Sequence, residues 1–149
     1  MTLAERIKSD LDQAIKRNDT ECRSALRLVL AGIQNEEKSQ QKKLDDAGII
    51  DILTREVKKR RESIEAFEKG NRSDLVAQEK AALDIVSKYM PQQMSRDEIV
   101  AAAQKVIEEI AAKGPGDKGK VMSQLVPQTK GRADGKTVND IVTELLNKI

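Results

Sequence analysis

Histidine and tryptophan are absent from this chain of 149 residues, which contains one cysteine, one tyrosine and one phenylalanine. Without histidine, the side chain that most often serves as general base or metal ligand is missing. A single cysteine excludes a disulfide within the chain, and Cys22 has no histidine to act as its base. We therefore interpret Cys22 as a small core residue, and we expect no catalytic residue, no metal and no cofactor.

Long hydrophobic runs are missing as well. The longest, Leu28 to Ile33, is too short to span a bilayer, and the N-terminal residues lack the apolar segment of a secretory signal. With only one cysteine, the chain also lacks the signature of a disulfide-rich secreted protein. These absences predict a soluble protein in a reducing, cytoplasmic setting that makes no membrane contact.

What is present favours helices. Charged residues make up 35% of the chain and aromatic residues 1%, so the core has to be aliphatic. Apolar residues recur at spacings of three and four, and Ser/Thr-x-x-Glu capping boxes stand at Thr2 and Ser95. The pattern predicts an all-α fold, with an N-terminal bundle of about four helices in residues 1–90 and a small three-helix bundle in residues 95–149.

Caps and breakers set the expected helix boundaries. The predicted starts follow Thr2, Asp19, Asp45 or Asp46, Ser73 or Asp74, Ser95, Asp117 and Asp134. The predicted stops are Asn18, the polar end of the second helix near Gln40, Gly70, Pro91, Gly114, Pro127 and the C-terminus. Within the first helix, Ile15 is expected to face the core. Arg60 interrupts the inward stripe of the third helix and is expected to snorkel or to form an ion pair within the interface between the two units.

The stretch Gly114 to Lys136 differs from the rest of the chain. It holds five of the eight glycines and several cations, with only Asp117 and Asp134 as carboxylates. Its candidate phosphate-binding residues are Lys118, Gly119, Lys120, Lys130, Gly131, Arg132, Gly135 and Lys136. This composition is typical of a polyanion-binding or hinge-like segment.

Residues Gly114 to Lys120 match G-x-x-x-x-G-K, the beginning of a nucleotide-binding loop. The match fails in context, because Val121 stands where Ser or Thr would ligate Mg²⁺ and the preceding segment has a helical pattern. Two helix starts flanked by lysines remain, and their free N–H groups suit a phosphate. Alternatively, Asp117 and Asp134 cap these helices and the lysines are simply solvated.

A second basic cluster, formed by Lys58, Lys59 and Arg61, lies on the third helix. Glu62 and Glu65 follow Lys58 and Arg61 by four residues, which predicts helix-surface ion pairs. A contact with RNA or with a protein partner is the alternative. Because aromatic side chains are scarce, any RNA contact should be to the backbone rather than to stacked bases.

Five stretches in order resemble the YqeY family over essentially the full chain. They are Arg27–Asn35, Lys59–Phe67, Tyr89–Ser95, Gly119–Met122 and Lys130–Lys136. The C-terminal part is similar to the tail domain of the GatB subunit of tRNA-dependent amidotransferases. The resemblance implies an all-helical protein whose tail domain holds tRNA, with the last two stretches as the matching positions. Ser123, where the family often has glycine, and Pro115-Gly116 depart from the family pattern.

We therefore expect a helical module that binds tRNA or works with a tRNA amidotransferase. An amidotransferase or an aminoacyl-tRNA synthetase is a candidate partner. One alternative is a carbon–nitrogen ligase with glutamine as amido donor, which the resemblance implies although no catalytic residue is identified. Another is a protein-binding adaptor that uses the exposed end of the second helix, Gln34 to Lys43.

Overall fold

The computed structural model describes residues 1–149 and contains seven α-helices, one short 3-10 turn and no β-strand. The helices are α1 (Leu3–Lys16), α2 (Thr20–Gln40), α3 (Asp46–Lys69), α4 (Ser73–Ser87), α5 (Arg96–Ile110), α6 (Lys118–Thr129) and α7 (Gly135–Asn147), and the 3-10 turn is Pro115–Asp117. The predicted all-α fold is confirmed. None of these helices combines the length and the apolar character that crossing a bilayer requires.

The chain divides into two compact units with separate cores. The first unit, Met1–Met90, contains α1 to α4, and the second, Pro91–Ile149, contains α5 to α7. The larger buried side chains of the first core are Ile7, Leu26, Val29, Ile33, Ile49, Ile52, Leu53, Val57, Val86 and Tyr89. Those of the second are Ile99, Val106, Val121, Leu125, Val138, Ile141, Val142 and Leu146. Tyr89 is the one buried aromatic residue, so aliphatic packing carries both cores.

Side-chain caps begin most of the helices. The Thr2 hydroxyl accepts a hydrogen bond from the Glu5 N–H at 3.2 Å, and the Glu5 carboxylate accepts one from the Thr2 N–H at 3.3 Å. Asp19 and Asp45 accept from the N–H groups of Cys22 and Gly48 at 3.1 and 2.9 Å. Ser95 accepts from Glu98 at 3.2 Å. The predicted caps at these four starts are confirmed, and each contributes about 1 kcal/mol.

The α3–α4 connection differs from the expectation. Helix α3 stops at Gly70 as predicted, but Gly70 has a φ of −88° and Asn71 takes the left-handed conformation with a φ of 56°. Asparagine tolerates this region better than most residues. The predicted cap at Ser73 or Asp74 is wrong, because α4 already begins at Ser73 and its preceding residue, Arg72, makes no side-chain cap.

Two further expectations fail at helix ends. Pro127 does not stop α6, which continues to Thr129. In the last turn a proline forfeits one backbone hydrogen bond, and the burial of Leu125 and Thr129 holds the turn in place. Ile15 is 44% exposed rather than inward, because it lies next to the end of α1 on the edge of the apolar stripe.

Helix α4 ends at Ser87, before Pro91, and two tighter turns lead to Met90.

Arg60 forms an ion pair between α3 and α4. Its Nη1 lies 3.3 and 3.1 Å from the two carboxylate oxygens of Glu79, and its Nε lies 4.0 Å from Glu56. Only 15% of the Arg60 side chain and 21% of the Glu79 side chain are exposed. Arg60 thus forms the expected ion pair, but with residues of the first unit rather than at an interface between the units, and solvent screens this pair weakly.

Tyr89 ties the end of the first unit to α1. Its hydroxyl donates a hydrogen bond to Asp10 at 2.5 Å, and the Arg6 guanidinium lies 4.8 Å from the ring centroid. Burial, reinforced by the hydrogen bond to Asp10, raises the pKa of the Tyr89 phenol above its usual range. Since the chain has one tyrosine and no tryptophan, ultraviolet fluorescence reports on this unit alone.

We expect Glu79→Gln to destabilise the first unit by about 1–2 kcal/mol, because it leaves a largely buried Arg60 without its main counter-charge. Glu68→Gln, which breaks the exposed 3.9 Å pair with Lys80 between the same two helices, should cost less than about 0.5 kcal/mol. Urea unfolding followed by Tyr89 fluorescence measures both. Equal effects of the two substitutions would show that the Arg60 pair adds no more than a surface pair.

Candidate phosphate-binding surface

The residues predicted to bind phosphate lie at the two ends of α6. Lys118, Gly119 and Lys120 form its first turn, and the remaining residues lie in the loop after Thr129 and in the first turn of α7. Helix α6 has 12 residues, which corresponds to roughly 18 Å of helix. The structure therefore separates the stretch into an α6-start cluster (Lys118 and Lys120) and a loop cluster (Lys130, Arg132 and Lys136).

At the α6-start cluster, Asp117 does not cap the helix. Its carboxylate turns back to accept the Lys113 N–H at 2.8 Å, and its other oxygen lies 3.9 Å from the Lys120 ammonium. The alternative in which Asp117 caps α6 is therefore wrong, because the backbone leaving α5 uses this carboxylate. The Lys120 side chain is 79% exposed. A Cβ on Gly119 would meet no atom within 4 Å, whereas the preceding 3-10 turn already engages the Lys118 N–H with the Pro115 carbonyl.

At the start of α7, the alternative in which Asp134 caps the helix is confirmed. The Asp134 carboxylate accepts a hydrogen bond from the Lys136 N–H at 3.4 Å, near the limit of such a bond. Gly135 and Lys136 are both exposed. An anion at this helix start would have to displace a carboxylate of the protein itself, whereas at α6 no side chain occupies that position.

Gly131 and Arg132 are engaged in holding the beginning of the second unit. The Arg132 Nε donates to the Gln92 carbonyl at 3.1 Å, and the Arg132 carbonyl accepts from the Met94 N–H at 2.8 Å. The Gln93 side-chain amide donates to the Gly131 carbonyl at 2.9 Å. Sequence reasoning missed these roles of Gln92 and Gln93, because nothing in a local pattern pairs residues about forty positions apart.

The second basic cluster, Lys58, Lys59 and Arg61, is exposed on α3. The predicted ion pairs of Lys58 with Glu62 and of Arg61 with Glu65 are not formed; instead Glu65 pairs with Lys69 at 3.4 Å. The order of the residues along the helix explains why Glu65 pairs with Lys69 rather than with Arg61, since a carboxylate four residues before a cation is favoured over the reverse order. All three cations of this cluster therefore lack an ion-pair partner.

Cys22 packs against the first core and is only partly buried. Burial and then the neighbouring Asp19 raise the pKa of its thiol, so the reactive thiolate is disfavoured. The interpretation of Cys22 as a core residue agrees with this position. Ser123, which departs from the family pattern, lies within α6 and donates to the Lys120 carbonyl at 2.9 Å, without interrupting the helix.

The fold and surface define a class: an all-helical protein of two units, with exposed lysines at the helix starts of the second. The model of the Yqey-like protein family matches residues 4–146. The chain belongs to the YqeY family, as its sequence patterns indicate.

Similar curated proteins come from fungi, and three of them carry the name altered inheritance of mitochondria protein 41, mitochondrial. The Lachancea thermotolerans protein is 34% identical over 73% of this chain and 60% of its own length. The Pyrenophora tritici-repentis protein is 28% identical over 95% and 79%. The Eremothecium gossypii protein is 35% identical over 70% and 58%, so the chain spans under two thirds of two of these relatives.

The expected cytoplasmic location is corrected by these comparisons, because the relatives are named as mitochondrial proteins. The expected cytoplasmic location was wrong for a physical reason. A composition without disulfides and without a long apolar segment argues against secretion and against membrane insertion. It does not separate one reducing, aqueous compartment from another.

We expect Gly131→Ala to destabilise the second unit by about 1–2 kcal/mol, because Gly131 is buried with a φ of 75°, which an L side chain rarely adopts. Gly116→Ala is the matched control. It has open space around its Cβ position and no positive φ, so its effect should be near zero. Hydrogen exchange of the α7 amides measures both, and a stable Gly131→Ala protein would contradict the assigned backbone constraint.

Proposed function

We propose that the second unit is an RNA-backbone-binding module that contacts phosphates through exposed lysines at the starts of α6 and α7. One observation carries the proposal: residues 113–136 hold six cations and two carboxylates, and one of these carboxylates is turned back onto the Lys113 N–H. The rest of the second unit has more acidic than basic residues. The positive charge of this unit is therefore concentrated on the candidate surface.

The α6-start cluster is the better of the two phosphate sites. Lys118 and Lys120 lie at a helix start that carries no side-chain cap, although the Pro115 carbonyl already accepts the Lys118 N–H, and the aligned peptide dipoles add partial positive charge there. At α7, Asp134 already accepts the Lys136 N–H, which weakens the case for a tightly held anion. Lys136 can still contribute as a charge at the rim of the surface.

Recognition through the RNA backbone fits this unit better than recognition of bases. Residues 91–149 contain no aromatic residue, so no aromatic side chain is present on which a base could stack. Helix α6, with 12 residues, separates the two clusters by roughly 18 Å, which suits different phosphates of one folded RNA. The resemblance of this unit to the amidotransferase tail domain favours tRNA as that RNA.

Binding is also favoured over catalysis. The amidotransferase resemblance covers the tail domain, and the single thiol of this chain is half-buried with a raised pKa. Carbon–nitrogen ligation would then belong to a partner that the tRNA or this protein recruits. Glutamine-dependent amidation of a mischarged tRNA by the isolated chain would support the enzyme alternative instead. The names of the relatives favour a mitochondrial setting for the proposal.

Titration of tRNA against salt tests the proposal. We expect Lys118→Ala, Lys120→Ala and Lys136→Ala together to weaken binding and to reduce the slope of log K against log salt by about 2, because each lost phosphate contact removes about 0.7–0.9. Arg132 is left intact, since its contact with Gln92 makes its loss a structural change. Filter binding or fluorescence anisotropy measures both quantities.

The matched control removes three exposed lysines outside the surface: Lys8→Ala, Lys16→Ala and Lys105→Ala. It changes the net charge by the same amount and should keep the wild-type slope. The proposal is wrong if both triple variants lose the same affinity, or if the wild-type protein does not bind tRNA at low salt.

A further inference from the structure

Helices α2 and α3 leave an open groove between them in the first unit. Two adjoining hollows of about 340 and 520 Å³ make up this groove, and they share Glu36, Ile52 and Arg55 in their walls. Ile52 is 7% exposed, and a Cβ on Gly32 would lie 3.3 Å from its Cγ2 atom. Gly32 thus allows the two helices to approach closely at an apolar floor, and the walls diverge above it.

The carboxylates along the groove are almost all engaged. Glu36 pairs with Arg55 at 3.7 Å and accepts a hydrogen bond from Gln40 at 2.7 Å. Asp45 caps α3, Glu56 lies 4.0 Å from Arg60, and Asp51 has an interaction of its own. Glu62 is the one groove carboxylate without a partner. Little unpaired negative charge therefore remains in the groove to interact with a ligand.

The lysines of the groove, in contrast to its carboxylates, form no ion pairs. Lys42 and Lys43 line the hollow near the start of α3, and Lys58 and Lys59 line the other. All four side chains are exposed, and none has a carboxylate within 4.0 Å. The unpaired charge of the groove is therefore mainly positive, with four lysines against Glu62, although the unit as a whole is nearly neutral.

An exposed apolar residue extends the floor along α2. Leu28 is 53% exposed and lies one turn before Gly32, so the two residues share a face of the helix. Ala31 is exposed beside them. Apolar residues of α2 thus lie near a groove that has a pair of unpaired lysines in each of its two hollows, and an amphipathic helix that also carries carboxylates would complement this combination.

We propose that this groove docks an acidic amphipathic helix of a partner protein. The apolar face of that helix covers Leu28 and Ile52, and its carboxylates pair with Lys42, Lys43, Lys58 and Lys59. Along α3 the groove extends from Gly48 to Glu62, roughly 20 Å, which accommodates about four turns of a guest helix. RNA is disfavoured as the occupant because an apolar floor adds nothing to phosphate binding. The proposal concerns the first unit and does not depend on RNA binding by the second.

A synthetic helical peptide of about 18 residues, with leucine along one face and glutamate elsewhere, is the probe for the full-length protein. We expect saturable binding in fluorescence anisotropy that Lys58→Glu with Lys59→Glu weakens by about tenfold or more. The control pair, Lys8→Glu with Lys16→Glu, lies outside the groove lining and should bind as wild type. Leu28→Ser should also weaken binding, whereas Ile15→Ser, at an exposed apolar site on α1, should not.

Several outcomes would overturn this inference. They are the absence of saturable binding at low salt, equal losses in the groove and control variants, and equal binding of a peptide with lysine in place of glutamate. An RNA duplex that binds wild type but not the Lys58→Glu, Lys59→Glu variant, while the acidic peptide binds neither, would assign the groove to RNA. Circular dichroism of each variant confirms that these exposed substitutions leave the helices folded.

Discussion

Every helix start in this protein presents N–H groups that need an acceptor, and this constraint organises both units. Five of the seven helices meet it with a cap supplied by Thr2, Asp19, Asp45, Ser95 or Asp134. At α6 the nearest carboxylate, Asp117, is used by the backbone that leaves α5. The start of α6 is consequently the place in the second unit where lysines surround a helix end that no side chain caps.

Hydrogen bonds likewise distinguish the structural residues of the glycine-rich stretch from its candidate binding residues. Gly131 and Arg132 use their carbonyl groups, and Arg132 also its guanidinium, to hold residues 92–94. Lys120 and Lys136 have exposed side chains with at most a long ion pair. The stretch that forms one basic segment in the sequence is thus two basic clusters joined by a helix, and Gly131 and Arg132 of the loop between α6 and α7 have a structural role.

The sequence was sufficient for features that depend on neighbours along the helix. Capping at Thr2, Asp19 and Ser95, and the inward stripes through Leu26, Val57 and Ile141, follow from short-range spacing and agree with the structure. Pro127 and Gly70 show the limit of such rules. Packing around Leu125 and Thr129 carries α6 past its proline, and Asn71 takes the left-handed turn expected of a glycine.

Features that depend on distant partners could not be read in advance. Arg60 was expected to pair, but its main partner, Glu79, lies on another helix. The attachment of Gln93 to Gly131, the turning of Asp117 towards Lys113 and the open groove of α2 and α3 likewise require three-dimensional positions. The candidate surface was therefore predicted by composition, while its division into two clusters emerged only from the fold.

The central claim, that the starts of α6 and α7 contact RNA phosphates, is tested most directly by titrating isotope-labelled protein with tRNA and following the backbone amide resonances. We expect salt-sensitive shifts at Lys118 to Lys120, with smaller ones at Gly135 and Lys136, where Asp134 already occupies the helix start. Shifts confined to the first unit, or none at low salt, would contradict it.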